Sequence, residues 1–180
     1  VYGTGPCTDP RGVLEHVWDK INEVGLPIES MNSEFDAAQY EMTLQYRDAL
    51  GAIDDAFLLR LMSREIASEM GLLMSFMPKP HPDMGGSGFH INFSLNDPLG
   101  NNVLTDPTSK DGLADLTKHA VAGLLRHHES LGALLAPLSN SYQRLVPASM
   151  SGYWCNWGYD HRGVTVRIPG ERGKATRIEH

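Results

Sequence analysis

The chain has 180 residues, of which 41% are hydrophobic and 21% charged, with a formal net charge of −7 at pH 7. That is enough apolar mass for a real core and too ordinary a balance for a disordered chain. The acidic balance, without any Lys/Arg-rich run, speaks against a nucleic-acid or anionic-membrane partner, and no apolar stretch reaches the length of a bilayer span. Cys7 and Cys155 form neither a CxxC motif nor a disulfide framework, so a reduced, cytoplasmic setting is expected.

Residues 1–10 read as a loop. Asp9 as N-cap and Pro10 at the first helical position predict a helix with Val13, Leu14, Val17, Trp18 and Ile21 on its apolar stripe, ending at Gly25. Gln39 to Leu44 alternates as a strand, with Tyr40, Met42 and Leu44 on one face. A second helix is expected from near Asp54-Asp55 to Gly71, through Phe57, Leu58, Leu61, Met62, Ile66 and Met70. Phe89 to Leu95 alternates again, setting Phe89, Ile91, Phe93 and Leu95 against His90, Asn92 and Ser94. A third helix is predicted from about Leu113 to His128, and a short helical stretch closes at Ala136-Pro137. Val164, Val166 and Ile168 oppose Thr165 and Arg167, and at the end Arg177 and Glu179 share a face opposite Ile178. Trp154 and Trp157 are expected in the core. Without repeats or low-complexity tracts, residues 1–180 read as one domain.

If these strands form one sheet, helices cover its apolar face. The other face then gathers Glu41, His90, Asn92, Ser94, Arg167, Arg177 and Glu179, the floor of an anion-and-metal cleft. Glu34 and Glu41 flank a turn at Asp36 to Ala38 and can converge from adjacent strands as hard oxygen ligands. Gly85-Gly86-Ser87-Gly88 lets backbone N–H groups approach an anion, and the segment after it delivers His90. Arg144, Arg162, Arg167, Lys174 and Arg177 suit carboxylate and polyphosphate together.

The ordered pieces are Glu34, Gln39 and Glu41; Phe76-Met77-Pro78-Lys79-Pro80, followed by Gly86-Ser87-Gly88-Phe89-His90; Asn140 to Pro147; and Trp157 to Glu179. Together they resemble the glutamine synthetase superfamily. The resemblance implies an α+β fold, with a curved antiparallel β-sheet backed by helices. It implies that Glu34 and Glu41 hold one Mg²⁺ (or Mn²⁺), and that His90 and Glu179 hold a second. Glu29, Asn92, Ser94, Arg162, Arg167 and Lys174 match positions around ATP, the co-substrate. Gly85, Gly86, Arg144 and Arg162 match positions around glutamate, with Arg162 and Arg167 catalytic and Arg177 in support. The implied reaction activates glutamate's γ-carboxylate as γ-glutamyl phosphate, which an amine or ammonia then attacks.

Three positions depart from the family pattern. Met150 stands where the ammonia-using members carry a glutamate, which favours a larger or more apolar amine, as in the γ-glutamyl-amine and polyamine ligases. Asn92 replaces a second histidine, and Gly85 replaces an asparagine. Family members are longer, with an N-terminal β-grasp-like domain, which is expected to lie outside these residues, and they assemble as homo-oligomeric rings. The alternatives are a true glutamine synthetase and a non-catalytic fragment or paralogue.

Overall fold

A computed structural model describes residues 2–180. They divide into two compact units, one up to Ser87 and one from Gly88.

The first unit is a hairpin covered by two helices. Helix α1 (Val13–Glu23) starts later than Asp9-Pro10 suggests. Gly12 takes a left-handed φ of 64° that an α-helix cannot include, so Asp9 acts from outside, accepting the Leu14 N–H at 2.6 Å. The helix stops before Gly25, whose φ is 77°. Strands β1 (Ile28–Ser33) and β2 (Tyr40–Leu44) pair antiparallel, Met31 opposite Met42 and Asn32 opposite Glu41. Between Ile28 and Ser30 the register shifts, a bulge at Glu29. The bulge turns the period-two pattern by one residue, so Ile28 and Met31, three apart, both reach the core.

Helix α2 (Ala49–Glu69) begins well before Asp54-Asp55, correcting the expected start. Asp48 is the N-cap, accepting the Gly51 N–H at 2.9 Å, and Asp55 lies inside the helix, turned inward and paired with Arg47 at 3.0 Å. The start is hard to read because α2 is apolar on two sides: Leu59, Ile66 and Ala67 are buried, while Leu50, Ile53 and Phe57 are exposed. Val17, Ile21, Leu26, Ile28, Leu59 and Ile66 form this unit's core, with Met31, Met42 and Leu44 packed on it.

In the second unit the sheet order is β3 (Asn92–Phe93), β6 (Ile178–Glu179), β5 (Val166–Ile168), β4 (Trp157–Tyr159). The pairs β3–β6 and β6–β5 are antiparallel, but β4 and β5 run parallel, a correction to the all-antiparallel expectation. Parallel neighbours need the chain to return along a strand's length; for three residues that is about 10 Å, which the 160–165 connection spans. Helix α3 (Asp115–Arg126) lies over the sheet's apolar face, followed by α4 (His128–Leu135) and the short α5 (Ser139–Tyr142). Leu104, Leu113, Val121, Val166, Ile168 and Ile178 form the core there, joined by Phe93, Ala120, Leu124 and Leu125. Each such buried aliphatic contributes about 1.5–3 kcal/mol.

The strand expected over Phe89–Leu95 shrinks to two residues. It pairs with β6 at Asn92–Glu179 and Phe93–Ile178, and Ile91 and His180 exchange backbone hydrogen bonds at 3.0 and 3.1 Å just before it; of its apolar face Phe93 packs on the core while Phe89, Ile91 and Leu95 stay exposed. Trp154 and Trp157 are not core residues. Both are exposed, and they rest edge-on against Tyr153 (4.8 Å) and Tyr159 (5.3 Å), an arrangement aromatic pairs favour without needing burial in a core. Among the described residues, no helix is long and apolar enough to cross a membrane.

Candidate active site

The β1–β2 register sets the face of the first pair of carboxylates. Opposed residues of antiparallel strands share a face, and the Glu34 N–H donates to the Gln39 carbonyl at 2.8 Å, extending the pairing past the strand ends. Asn32, Glu34, Gln39 and Glu41 therefore lie on one face, with Met31 and Met42 on the other against the core. Glu34 and Glu41 are diagonal neighbours, about 7–8 Å apart at Cα. The Glu34 carboxylate accepts the Phe35 N–H at 2.8 Å. Glu29, on the bulge, is exposed.

The turn between these strands meets the glycine loop. Gly85 donates its N–H to the Asp36 carboxylate, and the Gln39 side-chain amide donates to the Gly86 carbonyl at 3.0 Å. A Cβ at Gly85 would sit 2.9 Å from Asp36 Oδ2, so a larger residue there would push the carboxylate away. The carboxylate that the Gly85 N–H meets is the protein's own.

In the second unit, three strands line up three of the expected side chains, and His90 joins them from just before β3. Asn92 is the cross-strand partner of Glu179, and Glu179 is the partner of Arg167, so the row Asn92, Glu179, Arg167 shares one face. Phe93, Ile178, Val166 and Ile168 carry the opposite face into the core. His90, two residues before Asn92, places Nδ1 3.4 Å from Glu179 Oε1. Arg167 Nη2 donates to the other Glu179 oxygen at 2.6 Å. This carboxylate is only 11% exposed and Arg167 22%, so the ion pair lies largely out of water. Arg167 Nε is buried without a hydrogen-bond partner, an unused donor on the floor of the row.

Arg144 follows α5. A Cβ on Gly88 would meet His90 Nε2 at 3.2 Å and Arg144 Nη2 at 3.3 Å, so the glycine lets both groups share one place. Burial pushes the Arg144 guanidinium below its ordinary pKa. Among the described residues no carboxylate pairs with it, so an anionic ligand would relieve an existing electrostatic demand.

The remaining expected residues of this unit lie outside the paired strands. Ser94 lies just past β3 and is exposed. Arg162 is exposed in the turn between β4 and β5, and Lys174 is exposed on a 3-10 turn (Gly173–Ala175). Arg177 pairs with Glu171 at 3.1 Å rather than with Glu179. Met150 is exposed in a segment where Ala148 and Gly152 have φ of 62° and 66°.

Among the described residues no group of three or more His, Cys, Asp or Glu side chains is gathered as for a metal ion. The donors come as two pairs, Glu34 with Glu41 and His90 with Glu179. The Glu34–Glu41 pair is of the type that suits Mg²⁺ or Mn²⁺, since Mg²⁺ is usually held by one or two carboxylates and completes its octahedron with water and substrate phosphate.

The sequence reading missed three supporting side chains. Asn102 is buried; its amide donates to the Thr176 (2.6 Å) and Lys174 (3.3 Å) carbonyls and its Oδ1 accepts the Leu104 N–H at 2.9 Å. Arg172 donates to the Asp111 carbonyl at 2.9 Å and lies 5.7 Å from the centre of the Tyr159 ring, bracing the segment that leads to Lys174. Asp36 was read only as turn chemistry. The Asn101-Asn102 pair after Gly100 was the one available signal.

The sequence pattern of the glutamine synthetase catalytic domain matches residues 1–180. Type-1 glutamine synthetase 1 of Dictyostelium discoideum is 37% identical over 164 residues, 91% of this chain and 33% of that protein. Glutamate–isopropylamine ligase of a Pseudomonas species is 33% identical over 168 residues, 93% of this chain and 37% of that protein. Glutamate–methylamine ligase of Methyloversatilis universalis is 36% identical over 182 aligned positions, 93% of this chain and 41% of that protein. The chain thus spans between a third and about two fifths of the length of these relatives. With the matched pattern running its whole length, the chain belongs to the glutamine synthetase catalytic-domain family.

Proposed function

We propose that this chain forms the catalytic core of an ATP-dependent ligase that joins glutamate's γ-carboxylate to an amine through γ-glutamyl phosphate. The observation that carries the reading is the row of His90, Asn92, Glu179 and Arg167, held on one sheet face by strand register while the alternate residues build the core. A buried ion pair is a poor way to stabilise a fold, so its retention beside an unused guanidinium donor points to chemistry.

In this reading Glu34 and Glu41 hold one divalent ion, and His90 and Glu179 hold another. When bound, the ions supply charge neutralisation of the triphosphate. Arg144 and the Gly85-Gly86 loop receive glutamate. Arg162 and Arg167 stabilise charge on the transferring phosphoryl group, and Glu29, Asn92, Ser94 and Lys174 bind the nucleotide. The γ-carboxylate attacks the γ-phosphorus and ADP leaves; the amine then displaces phosphate, with a proton lost from nitrogen. The curved sheet, the homo-oligomeric ring and a cytoplasmic location belong to the same proposal.

Met150 favours an alkylamine or polyamine acceptor, and two relatives bear isopropylamine and methylamine ligase names. The second reading is glutamate–ammonia ligation, which the name of the Dictyostelium relative favours. Phosphate release with glutamate, ATP and a panel of ammonia, alkylamines and diamines separates them. A carboxylate that binds ammonium is worth about 1.5–3 kcal/mol, so Met150→Glu should shift selectivity toward ammonia by about 10- to 150-fold. Highest kcat/KM for ammonia, unmoved by Met150→Glu, would establish the second reading instead.

A further inference from the structure

Two long-range hydrogen bonds tie the turn after β1 to the glycine loop, and both leave from neighbouring turn residues. Asp36 holds the Gly85 N–H, and Gln39 holds the Gly86 carbonyl at 3.0 Å. Gln39 uses both ends of its amide, since its Oε1 accepts the Asp36 N–H at 3.2 Å. Its backbone is engaged as well, accepting from Glu34 at 2.8 Å and donating to the Asp36 carbonyl at 3.3 Å. One residue on the carboxylate-bearing face, opposite Glu34 and two before Glu41, is therefore the joint between hairpin and loop. The loop is also closed on itself, because Ser87 donates to the Pro78 carbonyl at 2.8 Å and the Lys79 ammonium to the Met84 carbonyl. A displacement of the turn must therefore carry the loop with it.

We propose that Asp36 and Gln39 are positioning residues that make the hairpin and the Gly85-Gly86 loop one mechanical piece, so that a divalent cation on Glu34 and Glu41 also sets the loop. The catalytic meaning of this coupling rests on the ligase reading above; the coupling itself does not need turnover. A cation drawing the two glutamates together tightens the turn between them, and the turn's two side chains transmit that to Gly85 and Gly86.

Amide hydrogen exchange at Gly85 tests this on the 180-residue chain, with Mg²⁺ added and no ATP or amine. Mg²⁺ should slow exchange in the wild type. Asp36→Ala and Gln39→Glu should raise it by about 3- to 10-fold, as expected for loss of one hydrogen bond, and should abolish the Mg²⁺ effect. Gln39→Glu keeps length and an acceptor but loses the donor facing Gly86, so it tests the joint if Asp36→Ala unfolds. Asp36→Asn retains an acceptor oxygen and should keep most of the protection. In ligase assays the disrupting variants should raise KM for glutamate more than they lower kcat. Unchanged Gly85 exchange in the variants, or no Mg²⁺ effect in the wild type, would overturn the proposal. Normal exchange behaviour without phosphoryl transfer to glutamate would instead overturn the ligase reading and leave the coupling standing.

Discussion

Replacing Arg167 and Glu179 singly and together separates a pair kept for stability from one kept for chemistry. In Glu179→Leu, Arg167 at 22% exposure loses its partner, while its Nε is already unpartnered, so a guanidinium would be left mostly buried with neither Nε nor Nη2 satisfied. Removing one member of a buried pair costs 3–5 kcal/mol, and the partial exposure of Arg167 puts this case near about 3 kcal/mol. In Arg167→Met the carboxylate keeps His90 Nδ1 at 3.4 Å, so the cost falls to about 2 kcal/mol. The double variant leaves no orphaned charge and adds apolar contact, and should cost no more than about 2 kcal/mol, an interaction of about 3 kcal/mol between the sites. Urea unfolding followed by tryptophan fluorescence reads this, because Trp154 and Trp157 lie in the same unit as the pair; a Trp18→Phe background removes the signal of the other. The double variant should be folded and inactive. Additivity within about 0.5 kcal/mol would mean that the charges are not coupled, and the row would lose its standing as a desolvated site.

Three further outcomes follow from the geometry. Asn102→Ala removes donors to the Thr176 and Lys174 carbonyls and should cost about 2–4 kcal/mol, with faster amide exchange over residues 173–177; an intact, protected segment would contradict the bracing role. Leu104→Ala, at a side chain with no exposure, should cost about 3–5 kcal/mol in denaturant melts, whereas under about 1 kcal/mol would misplace the core. The Asp111 carboxyl is held below its ordinary pKa, first by the Leu113 N–H and then by Ser109, with Tyr159 also donating. A depressed carboxyl stabilises the fold above its ordinary pKa, near 4, and that contribution fades as pH falls through the lower folded value. Asp111→Asn should therefore flatten the decline of Tm below about pH 4, and an unchanged decline would contradict it.

Period-two alternation placed Arg167 and Glu179 on one sheet face because the other face must be apolar to bury. Val166, Ile168 and Ile178 went inward as the pattern requires, so Arg167 and Glu179 had to face outward together. Pairing partners were not legible, because register depends on which strands meet. Arg177 has the right parity to join Glu179, yet it precedes β6 and turns to Glu171. The start of α2 was missed because a helix apolar on two sides blurs the 3.6-residue period, and Asp48 outcompeted Asp54 as cap through a contact to Gly51 that composition does not announce.

The parts of the site that lay beyond the pattern are the ones that hold it in place. Glu34 and Glu41 were singled out by the family resemblance more than by their place around a turn, whereas Gln39, on the same face, was only a motif letter until its amide was seen to reach the loop some 47 positions away. Asn102 is similar: a polar residue in a loop, its amide spans 72 and 74 positions to the carbonyls beside Lys174 and before β6. The charged residues and the histidine proposed to meet ligand are conspicuous in a sequence because of their chemistry. Gln39 and Asn102 are neutral amides bonded to backbone, and backbone carbonyls and N–H groups are the same at every position. Such an amide therefore becomes recognisable as a positioning residue only when the fold brings its partner near, whereas a charged group is recognisable from the chemistry it can serve.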